Sequence, residues 1–228
     1  VVAIDNFVNS VHIGDTPCSI RAIEQFTGKK VDFYSCDLVD KNRLGEIFAK
    51  HDIDCVIHFA AVKAVGESMQ EPLMYYKNNL IATINLLEVM KSHGVYQLVF
   101  SSSCTVYGEP QFLPITEDHP TGNIKNVYGK TKHFIEEMLK DLSKAHKIGC
   151  VHIGPKKRGG NRAPVLPDVP IASPGYTSRP FPPVARFVLK VSSIKHWDRL
   201  GVRMLFTFSS NLIGAELVAF PNLAGCSN

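Results

Sequence analysis

The chain has 228 residues, 45% of them hydrophobic, with a formal net charge of +4, which is enough apolar material for one sizeable core. No apolar run reaches the roughly 18 to 20 residues that cross a bilayer, and no charged-then-apolar leader opens the sequence, so no membrane partner is expected and the cytosol is the expected location. The six cysteines, Cys18, Cys36, Cys55, Cys104, Cys150 and Cys226, form no CxxC pair and no His/Cys spacing suited to zinc, which predicts reduced thiols and no metal site.

The first elements alternate in kind. Val1 to Ile4 reads as a strand ending in Asp5, and Lys30 to Cys36 as an exposed edge strand. Asp40 caps a helix that runs through Leu44 and Phe48. Cys55 to Ala60 is a continuous apolar run of the kind found in strands covered on both faces. Pro72 opens a long helix whose Leu80, Ile84, Leu87 and Met90 are spaced to share one face before Gly94 stops it. Gln97 to Phe100 is a second buried strand, and a third helix is predicted from about Val127 to Ala145, with Phe134, Met138 and Leu142 four apart. Strands alternating with helices predict an α/β fold, a Rossmann-like doubly wound parallel sheet.

After Lys147 the rhythm fails. Up to that residue 15 Lys+Arg stand against 18 Asp+Glu, a net −3, and beyond it 10 stand against 3, a net +7. Five prolines precede the break and nine follow it, among them the Pro180-Phe181-Pro182-Pro183 cluster, which denies regular structure for about thirty residues. The expected organisation is a partial dinucleotide-binding domain over 1–147 and a basic, irregular, Pro-rich tail over 148–228. Met204 to Phe208 is apolar enough for a strand but shows no periodicity. A +7 tail without ordered aromatics reads as a solvated segment, so no nucleic-acid partner is expected.

Chemistry concentrates at Tyr128 and Lys132, four residues apart and therefore one turn apart on a helix. A phenol with an ordinary pKa of about 10 is a poor base at neutral pH, and a neighbouring ammonium favours its ionised form. The bland alternative is a surface tyrosine over a solvated lysine. Upstream, Ser101-Ser102-Ser103-Cys104-Thr105 places hydroxyls directly after a buried strand, where open α/β sheets bind ligands; the alternative there is a polar turn. Asp5 ends its strand where a carboxylate can accept both hydroxyls of an adenosine ribose, and Asp37 ends the next one; either residue could equally be a turn former.

These residues together resemble a known family. His58-Phe59-Ala60-Ala61-Val62-Lys63-Ala64-Val65-Gly66-Glu67-Ser68, then Tyr75-Tyr76, Asn78-Asn79-Leu80, the serine row and Tyr128-Gly129-Lys130-Thr131-Lys132 are similar, in order and spacing, to the extended short-chain dehydrogenase/reductases, and within them to the UDP-glucose 4-epimerases. The resemblance covers about 147 of the 228 residues. It implies NAD as cofactor, with Asp5 and Asn9 at the adenosine ribose, Asn6 also among the cofactor-binding residues, Asp37 and Leu38 beside the adenine, Phe59 lining the cleft, and Lys63 and Lys132 on the nicotinamide side. It further implies Tyr128 as the base for the sugar 4-hydroxyl, Lys132 as its modulator, and Ser103, with Cys104 and Thr105, at the substrate. The implied reaction interconverts UDP-glucose and UDP-galactose, and the implied assembly is a homodimer. Related 4,6-dehydratases place acidic residues after the strand-end Ser/Thr; Ser102-Ser103-Cys104 has none, which favours epimerisation and leaves a decarboxylase or another epimerase as alternatives.

The sequence departs from the family in two respects. No GxxGxxG run is present, and the chain opens at what the family would make its second strand, so the expectation is an incomplete sheet with its first strand missing and a chain inactive by itself, a non-catalytic fragment or dimer-interaction piece. The strands flanking the gap, Val1–Ile4 and Cys55–Ala60, would then pair with each other or stay open. After Lys147 the family's next strand, its YFNP-like segment and its substrate domain are likewise expected to be absent.

Overall fold

The computed structural model describes residues 1–8, 12–113, 115, 119–146, 149–153 and 203–207. Among these, short apolar runs form a six-stranded sheet in the order β4-β1-β8-β5-β6-β7, every neighbouring pair parallel. The strands are β1 (Val2–Asp5), β4 (Asp32–Ser35), β5 (Cys55–His58), β6 (Gln97–Ser101), β7 (Gly149–Ile153) and β8 (Met204–Thr207). A two-residue antiparallel ribbon, β2 (His12–Ile13) with β3 (Thr16–Pro17), stands apart. The edge strand β4 is only partly buried, as its mixed sequence predicts, whereas β1, β5 and β8 are buried along their whole length.

The central strand corrects the expectation of a gap. β1 and β5 neither pair with each other nor stay open: β8 lies between them, with Ala3 and Ile57 both registered on Phe206, and Ile4 and His58 both on Thr207. The tetrapeptide suits the slot because alternate side chains of a strand face opposite ways. Leu205 joins Ile4, Val56, Leu98 and Phe100 in one core, and Met204 and Phe206 join Cys55, Ile57 and Val99 in the other. Burial of each such side chain contributes about 1.5–3 kcal/mol. Arg203 fastens the start of the strand, pairing with Asp52, donating its N–H to Asp54 Oδ2 at 2.6 Å and accepting from Asp54 N at 2.8 Å.

A second correction concerns the segment after Lys147. β7 follows the third predicted helix at once and pairs with β6 from Gln97↔Gly149 to Ser101↔Ile153. Residues 148–228 thus supply two of the six strands. The proline-rich stretch and the YFNP-like position lie outside the described residues, as does Asn9.

The helices are α1 (Cys18–Thr27), α2 (Lys41–Lys50), α3 (Val65–Gln70), α4 (Pro72–Tyr75), α5 (Ala82–Ser92) and α6 (Val127–His146), with a π-helical segment Tyr76–Ile81 joining α4 to α5 and a 3₁₀ turn at Cys104–Tyr107. Asp40 caps α2 as predicted, accepting from Arg43 N at 3.0 Å. The predicted stripe on α5 is displaced: Leu87 and Met90 are buried, but Ile84 is 40% exposed and Leu86 and Val89 face the core instead. At 3.6 residues per turn Ile84 stands about 200° from Leu86 around the helix, opposite the core face. On α6 the core line is Ile135 and Leu139, with Met138 and Leu142 flanking it and Phe134 47% exposed.

Candidate active site

In a parallel sheet all carboxyl ends lie on one edge. That edge gathers Asp5, the residues after Ser35, those after His58, Ser101 and Thr207. The chain's polar residues divide there into two groups on either side of the central strand.

The group beyond β6 is built on α6. Asn126 caps the helix by accepting from Gly129 N at 2.6 Å. Ser103 caps the 3₁₀ turn, its Oγ accepting from Thr105 N at 3.3 Å and from Thr105 Oγ1 at 3.0 Å. The two turns abut at Gly129, where a Cβ would stand 2.7 Å from Ile124 Cγ2 and 3.0 Å from Thr105 Oγ1; the absence of a side chain lets the serine row approach the helix start. Gly108 closes the turn at φ +62°, with Gly122 O only 2.2 Å from where a Cβ would lie. Cys104 is exposed and Thr105 half-buried.

Tyr128 is buried against Tyr75 and Val127. Tyr75 shares its hydroxyl proton between Ala64 O at 2.8 Å and Glu67 Oε2 at 2.7 Å. Burial, then the Glu67 hydrogen bond, push its pKa above the usual phenol range, so Tyr75 stays a donor. One turn beyond Tyr128, Lys132 is 3% exposed. Its Nζ donates to Ser101 O at 2.8 Å and lies 4.8 Å from the centroid of the Phe100 ring. Burial lowers its pKa to about 7, Glu136 opposes the shift and the charge of Lys63 adds to it. The charge of Lys63 is therefore felt at Lys132. Glu136, one turn further on, accepts from Ser102 Oγ in a short hydrogen bond.

The other group lies at the ends of β1 and β4. Asp5 is buried and its Oδ1 accepts from Phe7 N at 3.0 Å. Asn6 Nδ2 donates to Asp37 Oδ2 at 3.0 Å, and Asp37 Oδ1 accepts from Val39 N at 2.9 Å. Asp5, Asn6 and Asp37 therefore stand together. The side chain of Leu38 packs in the core, and its carbonyl accepts from Asn85 Nδ2 at 3.1 Å. Phe59 packs against the core that contains Phe206.

One residue that builds this site was given no role from the sequence. Asn79, fully buried in the π-helical segment, spans Val62 and α6: it accepts from Val62 N at 2.9 Å and donates to Val62 O and Thr131 Oγ1, each at 3.0 Å. It fixes the loop that carries Lys63 to the helix that carries Tyr128. A π-turn at this position was the available signal only in retrospect, since π-helical segments cluster at functional sites but have no sequence period. Among the described residues no group of three or more His, Cys, Asp or Glu could hold a metal, and no helix is long and apolar enough to cross a membrane. Cys18, Cys36, Cys55 and Cys104 are unpaired thiols; burial raises the pKa of Cys36 to about 11 and that of Cys55 to about 12.

A doubly wound parallel sheet with a Tyr-x-x-x-Lys helix and a serine row on its carboxyl edge defines an extended short-chain dehydrogenase/reductase. The chain belongs to the family described as GDP-mannose 4,6 dehydratase, which matches residues 1–162. Within that family it is similar to the UDP-glucose 4-epimerase of Mus musculus, 54% identical over 145 residues, covering 63% of this chain and 42% of the relative. It is 47% identical to the enzyme of the same name from Pongo abelii over 188 residues, 75% of this chain and 54% of the relative. Among solved structures it is similar to UDP-glucose 4-epimerase from Bifidobacterium longum in complex with NAD+ and UDP, with 46% identity, a TM-score of 0.62, and coverage of 66% of this chain and 44% of the other. The chain spans about half the length of the curated relatives it matches.

Proposed function

We propose that this chain carries the proton-transfer site of an NAD-dependent UDP-glucose 4-epimerase, which interconverts UDP-glucose and UDP-galactose. The observation that carries the reading is the Tyr128–Lys132 pair set one turn apart against a serine turn with no acidic residue in its own sequence. The family description names a dehydratase; Ser101 to Thr105 contains no acidic residue of its own, and the carboxylate that meets it, Glu136, comes from α6 and is engaged by Ser102 Oγ. The epimerase names of the relatives support the same choice.

The two polar groups fit the two ends of the cofactor. Asp5, Asn6, Asn9 and Asp37 would hold the adenosine end, with Leu38 at the adenine; Lys132 and Lys63 would hold the nicotinamide ribose, and Phe59 would line the cleft between. When bound, NAD supplies a reversible two-electron oxidation at carbon 4 of the sugar. Tyr128 accepts the proton of the 4-hydroxyl and later returns it to the same oxygen. Lys132, when charged, favours the ionised phenol. Ser103 donates to the reacting oxygen, and Cys104 and Thr105 line the sugar side. Because no GxxGxxG run is present to cradle the pyrophosphate, we expect the 228-residue chain to show no turnover by itself.

The reading also includes a homodimer through the helices. Leu73 is 81% exposed, and Ile81, Ile84 and Phe134 are exposed with it on the Pro72–Ser92 run and α6, more apolar surface than two solvent-facing helices need. The unpaired thiols support a reducing compartment, the cytosol.

The test is a chimera in which residues 1–147 replace the matching stretch of the Mus musculus enzyme. It should convert UDP-galactose to UDP-glucose, and Tyr128→Phe should lower kcat by at least about 100-fold, as loss of a positioned base does. Near-normal turnover in that variant would remove Tyr128 from its role.

A further inference from the structure

The central strand is joined to the catalytic helix by an unbroken chain of buried hydrogen bonds. Thr207 Oγ1 lies 2.7 Å from His58 Nδ1, and His58 Nε2 lies 2.9 Å from Thr83 Oγ1. Thr83 Oγ1 donates to Asn79 O at 2.6 Å; Asn79 Nδ2 donates to Thr131 Oγ1 at 3.0 Å; Thr131 Oγ1 donates to Tyr128 O at 2.7 Å. All five linking residues are buried.

The directions of these bonds are fixed by proton counting. The single hydroxyl proton of Thr83 goes to Asn79 O, so Thr83 Oγ1 can only accept from His58, and Nε2 must carry the imidazole proton. Nδ1 is then the acceptor and Thr207 the donor, while Thr207 Oγ1 accepts in turn from Ala60 N at 3.5 Å. Each threonine hydroxyl on the path accepts one bond and donates one, each ring nitrogen of His58 makes one, and a reversed histidine would leave a buried nitrogen lone pair facing a hydroxyl with no proton to give. Burial and the nearby charge of Lys132 lower the His58 pKa to about 3, so the neutral, directed state persists through physiological pH.

We infer that Thr207 and His58 are positioning residues, through which insertion of the Met204–Thr207 strand sets the placement of Tyr128. The mechanical link is Asn79, whose carbonyl is held from the His58 side while its amide clamps Val62 and α6. Loss of the Thr207 hydroxyl strands His58 Nδ1, the imidazole re-pairs or changes tautomer, Thr83 turns, and Asn79 loses the bond that holds its backbone. The role is assigned to this chain's own strand, whose hydroxyl falls in register with His58. It rests on the reading of Tyr128 as the base, and the experiment reads the coupling without turnover, so failure of one is distinguishable from failure of the other.

The experiment is NMR on the 228-residue chain carrying 15N-histidine and ring 13C-tyrosine, with signals assigned by loss in His58→Gln and Tyr128→Phe. In the unaltered chain His58 should show the neutral Nε2–H pattern at pH 5. Thr207→Val should change the His58 pattern and displace the Tyr128 ring signal by more than its line width, whereas Thr207→Ser should restore both. Leu205→Ala, which loosens the same strand without touching the path, should leave the His58 pattern and Tyr128 signal in place. Thr131→Val perturbs the far end and should displace His58; it serves if Thr207→Val does not fold. An Nδ1–H histidine in the unaltered chain, a Tyr128 signal unmoved in Thr207→Val while His58 changes, or a His58 signal unmoved in Thr131→Val would overturn the inference.

Discussion

Lys132→Met should make this protein more stable at pH 6, and the size of the gain should depend on pH in a defined way. The buried amine titrates at about 7 where an ordinary lysine titrates at 10.5. At about 1.4 kcal/mol per pH unit, keeping it charged in the folded chain costs on the order of 5 kcal/mol. Methionine has a similar length and removes that cost, but leaves Ser101 O without its donor, a loss of about 1–3 kcal/mol. The net expectation is a gain of about 2–4 kcal/mol below pH 7. Between pH 7 and 10.5 the unfolded chain binds a proton that the folded chain does not, so the stability of the unaltered protein rises with pH. The advantage of methionine must shrink across that window by up to about 1.4 kcal/mol per unit. Urea unfolding of both proteins at pH 6, 7.5 and 9 measures the difference directly. A pH-independent difference, or a loss of stability at pH 6, would refute the description of Lys132 as a buried, partly neutral amine.

Three further outcomes follow from packing. Leu205→Ala should cost about 2–5 kcal/mol in urea unfolding, because a fully buried central side chain is removed, while Leu113→Ala at an exposed site should cost nothing measurable; equal effects would contradict the strand insertion. Gly129→Ala should lower the unfolding free energy from urea titration by about 1–3 kcal/mol through overlap with Ile124 and Thr105, although alanine is the better helix former by about 1 kcal/mol; a raised stability would show that the serine turn does not press on α6. Under the proposed homodimer, Phe134→Glu should shift the chain toward monomer in sedimentation velocity, and an unchanged dimer would place the interface elsewhere.

Much of the catalytic half was legible because its signals are local. Asp40 announces its helix by a cap, Tyr128 and Lys132 by a four-residue spacing, and Ser101 to Ser103 by following an apolar run. The helix Cys18–Thr27 was missed because its start carries no side-chain cap and no acidic residue in the first turn. The faces of α5 and α6 were misplaced because a three- or four-residue spacing drifts across a 3.6-residue period, and because Leu80 lies in the π-helical segment, out of phase with α5. The central strand was illegible for a deeper reason. Met204 to Thr207 states only that it is apolar; which gap it enters depends on β1 and β5, some 150 to 200 residues away in sequence, and on a hydroxyl that meets His58 only once the register is set. Local composition carries no record of such pairing. Asn79 was visible within a family-like segment, but its role depends on reaching Val62 and Thr131 together.

The claim that this site epimerises rather than dehydrates is tested most directly by product analysis of the chimera bearing residues 1–147. Followed by proton NMR, UDP-galactose and UDP-glucose supplied separately should converge on one mixture of the two, with no other sugar formed. Accumulation of a 4-keto-6-deoxy sugar with release of water would contradict the account.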